Sequence, residues 1–260
     1  MTGLNLNFKI ENLLDLIQLN KGDKILLSSD ILKILVKFKK NKQNIDPNII
    51  INFFIKKIGN EGTLLVPTYN WDFCRGVEFD YNKTKSSSGS LGNICLGRND
   101  FKRSKNPIYS FAVFGKDQKK ICELDHKSCF GLDSPFGYLI QNEGKNIFLN
   151  INYKDAFTFS HVAEEVVGVE YRYFKKFKGI YCNEHQEKKL ETYEMYVRKQ
   201  DLVKCTKIDH SFDDILKENK SYEEKILNKF SISTVDINTA HSIMINDIKK
   251  SRKFIYPEMI

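Results

Sequence analysis

Between residues 8 and 19, apolar side chains recur at Ile10, Leu13, Leu14 and Ile17, the spacing that lays one stripe along an amphipathic helix. Lys21-Gly22-Asp23 turns the chain, and Lys24 to Leu27 is a short apolar run that reads as a buried strand. Three small polar residues, Ser28, Ser29 and Asp30, follow and can cap a helix from Ile31 to Lys39. A strand that feeds directly into a helix N-terminus is how α/β folds build anion sites. The next helix opens with Asp46 as N-cap and Pro47 at its first position, and its body from Ile49 to Ile58 is strongly apolar. Gly59 and Gly62 bracket the turn into a second strand, Thr63 to Val66, which stops at Pro67.

Further along, Phe111 to Phe114 reads as a third strand, Ser134-Pro135 opens a helix, and Asn146 to Ile151 reads as a fourth strand. A helix carrying His161 follows, with Gly168 to end it. Strands and helices alternating through short connections predict an α/β protein with a central mixed β-sheet flanked by helices on both faces. One domain spanning residues 1–260 is expected, since no repeat and no Pro- or Gly-rich linker interrupts the chain. Residues 75–106 differ, being rich in Gly, Ser, Asn and Lys, and loops of that kind carry sites more often than cores do. After Tyr171 the pattern blurs: Tyr181 to Lys207 reads as strands around a Glu187-Lys188-Lys189 turn, and Thr239 to Lys250 as an amphipathic helix.

Composition narrows the class. A hydrophobic share of 41% with 12% aromatics is that of a globular protein, and no segment approaches the roughly 20 apolar residues that span a bilayer. The start, Met1 to Asn5, lacks the basic then apolar run of a secretion signal, so a cytoplasmic protein without membrane insertion is expected. The 6 cysteines form no C-x-x-C pair, which predicts reduced thiols and no metal site. The net charge of +8 favours anionic ligands. Lysine runs such as Lys37 to Lys40 lack the Arg and aromatic pattern of a base-reading surface, so nucleic acid is not an expected partner.

Thr158 to Glu165 holds the clearest chemistry. His161 and Glu164 stand three residues apart at a helix start, so the carboxylate can accept one ring N–H and leave the other nitrogen free to take a proton. The same spacing also occurs in solvated helical pairs, and the neighbours decide between the two. Tyr69, Trp71 and Asp72, with Asp30, lie just beyond strand ends, where acceptors bind in open α/β sheets, although Tyr69 and Trp71 serve equally well as core aromatics. His126, His185, His210 and His241 have no comparable context and read as structural or solvated.

Several segments together resemble the aminoglycoside 3-N-acetyltransferase family and its relatives that acylate amino sugars. They are Gly22 to Asp30, Gly62 to Tyr69, Ser88 to Gly92, Arg103 to Gly115, Gly131 to Phe136 and the His161/Glu164 helix, in the family's order across roughly residues 10–175. Two departures stand out: Ser28 and Asn106 occupy positions where the family commonly has histidine, which leaves His161 as the one family histidine in place. The resemblance implies an acyl-coenzyme A co-substrate, with Ser28, Ser29, Ser90, Gly92, Arg103, Ser104 and Ser110 around it and His161 as general base. A plain surface arginine is the competing reading of Arg103, and helix capping is compatible with ligand contact at Ser28 and Ser29. Backbone amides of the Ser28 to Ile31 turn are the expected oxyanion donors.

An amine attacks a thioester only as its free base, so a positioned proton acceptor suits this chemistry. The basic surface points to an anionic acceptor, and the main expectation is N-acylation of a nucleotide-linked (dTDP-type) amino deoxysugar for surface polysaccharide assembly. An aminoglycoside acceptor is the first alternative. A catalytically silent module binding coenzyme A or nucleic acid is the second. Oligomeric state stays open, a homodimer included.

Overall fold

The computed structural model describes residues 8–260. Its first helix, α1 (Ile10–Leu14), is shorter than the apolar stripe predicts, because Leu16 and Ile17 bond carbonyls three residues back and tighten the chain out of the α-helix. Ile17 nevertheless stays buried. Strand β1 (Lys24–Ser29) leads into α2 (Ile31–Lys40), where the Asp30 carboxylate accepts the Lys33 amide at 3.2 Å as an N-cap. Helix α3 (Asn48–Ile58) starts one residue later than predicted: Pro47 is the boundary residue, while Asp46 accepts the Asn48 amide at 2.9 Å. Strand β2 (Thr63–Pro67) follows.

The irregular stretch contains β3 (Phe79–Asp80), α4 (Ser90–Leu96) and β4 (Lys102–Arg103). Then come β5 (Phe111–Gly115), α5 (Gln118–Glu123), α6 (Pro135–Gln141), β6 (Lys145–Leu149), α7 (Tyr153–Ala156) and α8 (Phe159–Val167). Ser134 caps α6 through the Phe136 amide with Pro135 in the first turn, and Gly168 ends α8 at φ 71°, a left-handed conformation that favours glycine. Beyond it lie β7 (Arg172–Cys182), β8 (Lys188–Arg198), β9 (Val203–Ile208), α9 (Phe212–Glu218), β10 (Tyr222–Leu227), β11 (Phe230–Asp236), α10 (Ile237–Lys250) and β12 (Ile255–Met259).

A mixed seven-stranded sheet in the order β10-β11-β6-β1-β2-β5-β4 forms the centre. β1 runs parallel to both neighbours, β2 and β6, whereas β5 and β11 are antiparallel. Alternation along the strands splits the core in two. Ile25, Leu27, Leu64, Val66, Ile147 and Leu149 pack against α1, α2, α3 and α4 on one face. Leu26, Leu65, Phe148 and Val235 pack against α6, α8 and α10 on the other. The expected sheet covered by helices on both faces is therefore present.

The part after Tyr171 departs from the sequence reading. β7 begins at Arg172 rather than near Tyr181, pairs with β8 over eleven residues, and turns at Asn183 to Glu187, ahead of the predicted turn. Lys175, Lys176 and Lys178 make β7 look like loop, and the strand is indeed exposed through its middle, with burial confined to Arg172 at one end and Gly179, Tyr181 and Cys182 at the other. The β10–β11 hairpin was not predicted at all. Its two-residue turn, Asn228-Lys229, has both φ angles positive (50° and 64°) without the glycine that usually flags such a turn.

His241 on α10 is buried, and burial pushes its imidazole down to about 4. The unfolded chain then takes up a proton between pH 6.5 and 4 that the folded chain resists, so stability is lost as pH falls through that window. We expect the melting temperature of His241→Leu to decline less steeply than wild type between pH 6.5 and 4, measured by circular dichroism.

Candidate active site

β1 sits where the chain's path reverses, with β2 on one side and β6 on the other, both parallel to it. Parallel strands on either side of such a point leave a crevice beyond their carboxyl ends. A cleft of about 210 Å³ opens there. Ser28 and Ser29 enter it from the end of β1, Val66 and Pro67 from the end of β2, and Ile151 and Ala156 from the segment after β6. Tyr69, Trp71, Tyr109, Ser88, Gly89, Leu91, Gly92, Thr158 and His161 also line it, whereas Ser90 does not. Gly92 allows α4 to approach β2, since a Cβ there would lie 2.3 Å from the Pro67 carbonyl oxygen.

His161 lies in the first turn of α8, with its side chain partly exposed and 2.9 Å from Glu164 through Nδ1. Arg172 Nη2 lies 3.1 Å from the same nitrogen. A guanidinium can only donate and a carboxylate can only accept, so Nδ1 serves one of the two at a time; with its hydrogen toward Glu164 it leaves Nε2 bare. The ring packs against Phe130 at 5.4 Å between centroids.

Glu164 is fully buried. One oxygen accepts Tyr171 Oη at 2.9 Å and Thr206 Oγ1 at 2.7 Å, and the other faces His161 and lies 2.8 Å from Arg172 Nε as an ion pair. Arg172 further donates to the Tyr196 carbonyl at 3.0 Å and to Thr206 at 2.9 Å. Burial alone raises the carboxyl, but the His161 hydrogen bond, the charges of His161 and Arg172, and Thr206 outweigh it and hold Glu164 at about 2. Tyr171, Arg172 and Thr206 were missed from sequence. They sit 7, 8 and 42 residues beyond Glu164, past the end of α8 at Val167, and only the fold of β7 and β9 against α8 brings them together.

The structure separates the other expected residues into two groups. Ser28, Ser29, Gly92, Tyr69 and Trp71 line the cleft with His161, Trp71 with 37% of its surface exposed and Tyr69 buried against Tyr109 and Phe111. Arg103, Ser104 and Ser110, expected around the coenzyme, are buried away from it. Arg103 donates to Ser110 Oγ at 3.0 Å, to the carbonyls of Thr84, Tyr81 and Thr68, and lies over the Phe79 ring. Ser104 Oγ accepts the Phe111 amide, and Ser110 Oγ bonds the Thr68 carbonyl at 2.9 Å. All three hold the irregular 75–106 segment to the sheet edge, and a motif of polar residues does not distinguish that task from ligand contact. Ser90 Oγ is buried at the start of α4. Asp30 is committed to its cap and to Lys33, and Asp72 to Arg75 and Asn70, both outside the cleft lining. The Asp30 amide is spent on the Leu149 carbonyl, which removes one expected oxyanion donor.

Among the described residues no His, Cys, Asp and Glu group could hold a metal, and no helix is long and apolar enough to cross a membrane. The cysteines are free thiols. Residues 39–246 match the family model described as aminoglycoside 3-N-acetyltransferase. This chain belongs to that family. Its match extends past residue 175, so most of the blurred third after Tyr171 is part of the family pattern as well. An aminoglycoside N(3')-acetyltransferase-like protein, YokD of Bacillus subtilis, is 27% identical over 44% of this chain and 50% of its own length, so the chain spans about half of that relative in sequence. The aminoglycoside acetyltransferase AAC(3)-Xa superposes with a TM-score of 0.74 at 17% identity, over 93% of this family member and 91% of that chain. AAC-IIIb, solved as a binary complex with coenzyme A, gives 0.73 at 16% identity over 92% and 94%. These distant superpositions establish the fold.

A depressed folded pKa at Glu164 contributes stability that is complete above the unfolded value near 4.5 and is lost as pH falls toward 2. The stability gap between wild type and Glu164→Gln, measured by urea unfolding, should therefore be largest near neutral pH and shrink from pH 4.5 toward 2. Arg103→Met strands several buried carbonyls and should cost roughly 2–4 kcal/mol in the same assay, with little change in KM for the acyl donor.

Proposed function

We propose that this protein transfers an acetyl group from acetyl-coenzyme A to an amine of an aminoglycoside-type amino sugar, by direct attack within one acyltransferase domain. The observation that carries the reading is His161 in the cleft lining with its Nδ1 2.9 Å from the buried, ionised Glu164, and in this reading Nε2 is the nitrogen that meets substrate. The amine nitrogen attacks the thioester carbonyl carbon while Nε2 takes the ammonium proton. Collapse of the tetrahedral intermediate breaks the C–S bond, and the imidazolium returns the proton to the departing thiolate. Glu164 sets the tautomer and stabilises the imidazolium throughout.

Coenzyme A fits the basic chain and the serine-lined end of the cleft, and a relative of the same fold has been solved with it. The names borne by the family and by its solved members support an aminoglycoside acceptor. One observation favours a second acceptor: the cleft lining contains no carboxylate, and the chain carries +8, which suits a nucleotide-linked amino sugar better than a polyammonium substrate. Trp71 and Tyr109, edge to face at 6.1 Å, offer an aromatic wall to either sugar or base.

Release of free thiol from acetyl-coenzyme A, followed with panels of aminoglycosides and nucleotide amino sugars, tests both levels. We expect turnover with an amino sugar and a loss of about 10²-fold or more in kcat for His161→Ala, the range for removing a general base. Unchanged turnover in that variant would remove His161 from the mechanism, and the better panel names the acceptor.

A further inference from the structure

Asn146 is a fully buried polar residue in the middle of the central sheet, on β6 directly opposite Leu26 of β1. Its Nδ2 lies 3.0 Å from the Leu26 carbonyl and 3.2 Å from Ser28 Oγ. A carbonyl only accepts, so the amide must turn its NH2 group toward Leu26, and its second hydrogen then has Ser28 Oγ at 3.2 Å, nearer than the Ile147 carbonyl at 3.5 Å. Ser28 is thereby an acceptor toward Asn146. Among the described residues no protein acceptor meets the Ser28 O–H, and Ser28 lines the cleft on the sheet face that packs against α8, the helix of His161.

We infer that Ser28 is a catalytic hydrogen-bond donor to the thioester carbonyl oxygen, and that Asn146 is the positioning residue that turns its hydroxyl into the cleft. The inference rests on the acetyl transfer proposed above. As the amine nitrogen bonds to the carbonyl carbon, the oxygen gains the electron pair of the C=O π bond and accepts the Ser28 hydrogen bond. When C–S breaks, that pair returns and the hydroxyl is unchanged. Ser28 exchanges no proton and forms no covalent bond. A preset donor of this kind favours the intermediate over the ground-state carbonyl, so its contribution falls on kcat.

Steady-state kinetics of Ser28→Ala, Asn146→Leu and the double variant test this, with His161→Ala alongside and melting temperatures as the folding control. We expect Ser28→Ala to lose about 10²-fold in kcat with KM for acetyl-coenzyme A within about twofold of wild type. Asn146→Leu should lose kcat too, and should add nothing in the Ser28→Ala background, as coupled residues do. Wild-type kcat in Ser28→Ala, or a loss confined to KM, would overturn the donor role while leaving the general-base reading intact if His161→Ala is impaired. Losses that multiply in the double variant would overturn the positioning role of Asn146, because a purely structural defect acts independently of Ser28. If His161→Ala keeps full activity, the underlying acetyl-transfer mechanism fails instead.

Discussion

A single carboxylate taken wholly out of water organises this molecule. Burying an ion without partners costs several kcal/mol, and Glu164 is tolerated only because an imidazole, a guanidinium, a phenol and a threonine hydroxyl converge on its two oxygens. Those groups come from α8, from the start of β7 and from β9, so the peripheral strands are secured to the central layer by an electrostatic requirement as much as by apolar contact. The same requirement fixes the ring of His161. Stability and reactivity at this point are one arrangement.

Around that arrangement the sheet supplies the cavity. Parallel neighbours on both sides of β1 open a gap at its carboxyl end, and the close approach of α4 at Gly92 forms one wall. The cleft lining is aromatic and hydroxyl-rich, with His161 as its one ionisable side chain apart from the tyrosines. The lining thus leaves a single imidazole as the group suited to exchange a proton, in low-dielectric surroundings where a hydrogen bond acts more strongly than in water.

The legible half of the fold was the half whose elements bury a continuous face. β1, β2 and β5, the helix caps at Asp30 and Ser134, and the His161 helix all follow from local spacing and local chemistry. β7 reads as loop because three lysines stand exposed along its middle, and the β10–β11 turn carries no glycine. In the site, a spacing of three announced His161 and Glu164. Arg172 and Thr206 belong to strands whose approach to α8 is decided by tertiary packing, and Asn146 reads from sequence only as the first residue of a strand. Arg103, Ser104 and Ser110 are expected at the ligand through the family resemblance, and a buried polar network uses the same residue types as a binding site.

Thr206 does not stand alone on β9: its opposite number in the two-stranded ribbon is Pro257 of β12. The oxygen that steadies Glu164 is consequently braced by residues nearly a hundred positions downstream of the histidine it serves. Loosening of the β9–β12 ribbon would therefore be felt at the Glu164 carboxylate while the seven-stranded layer and its crevice keep their shape.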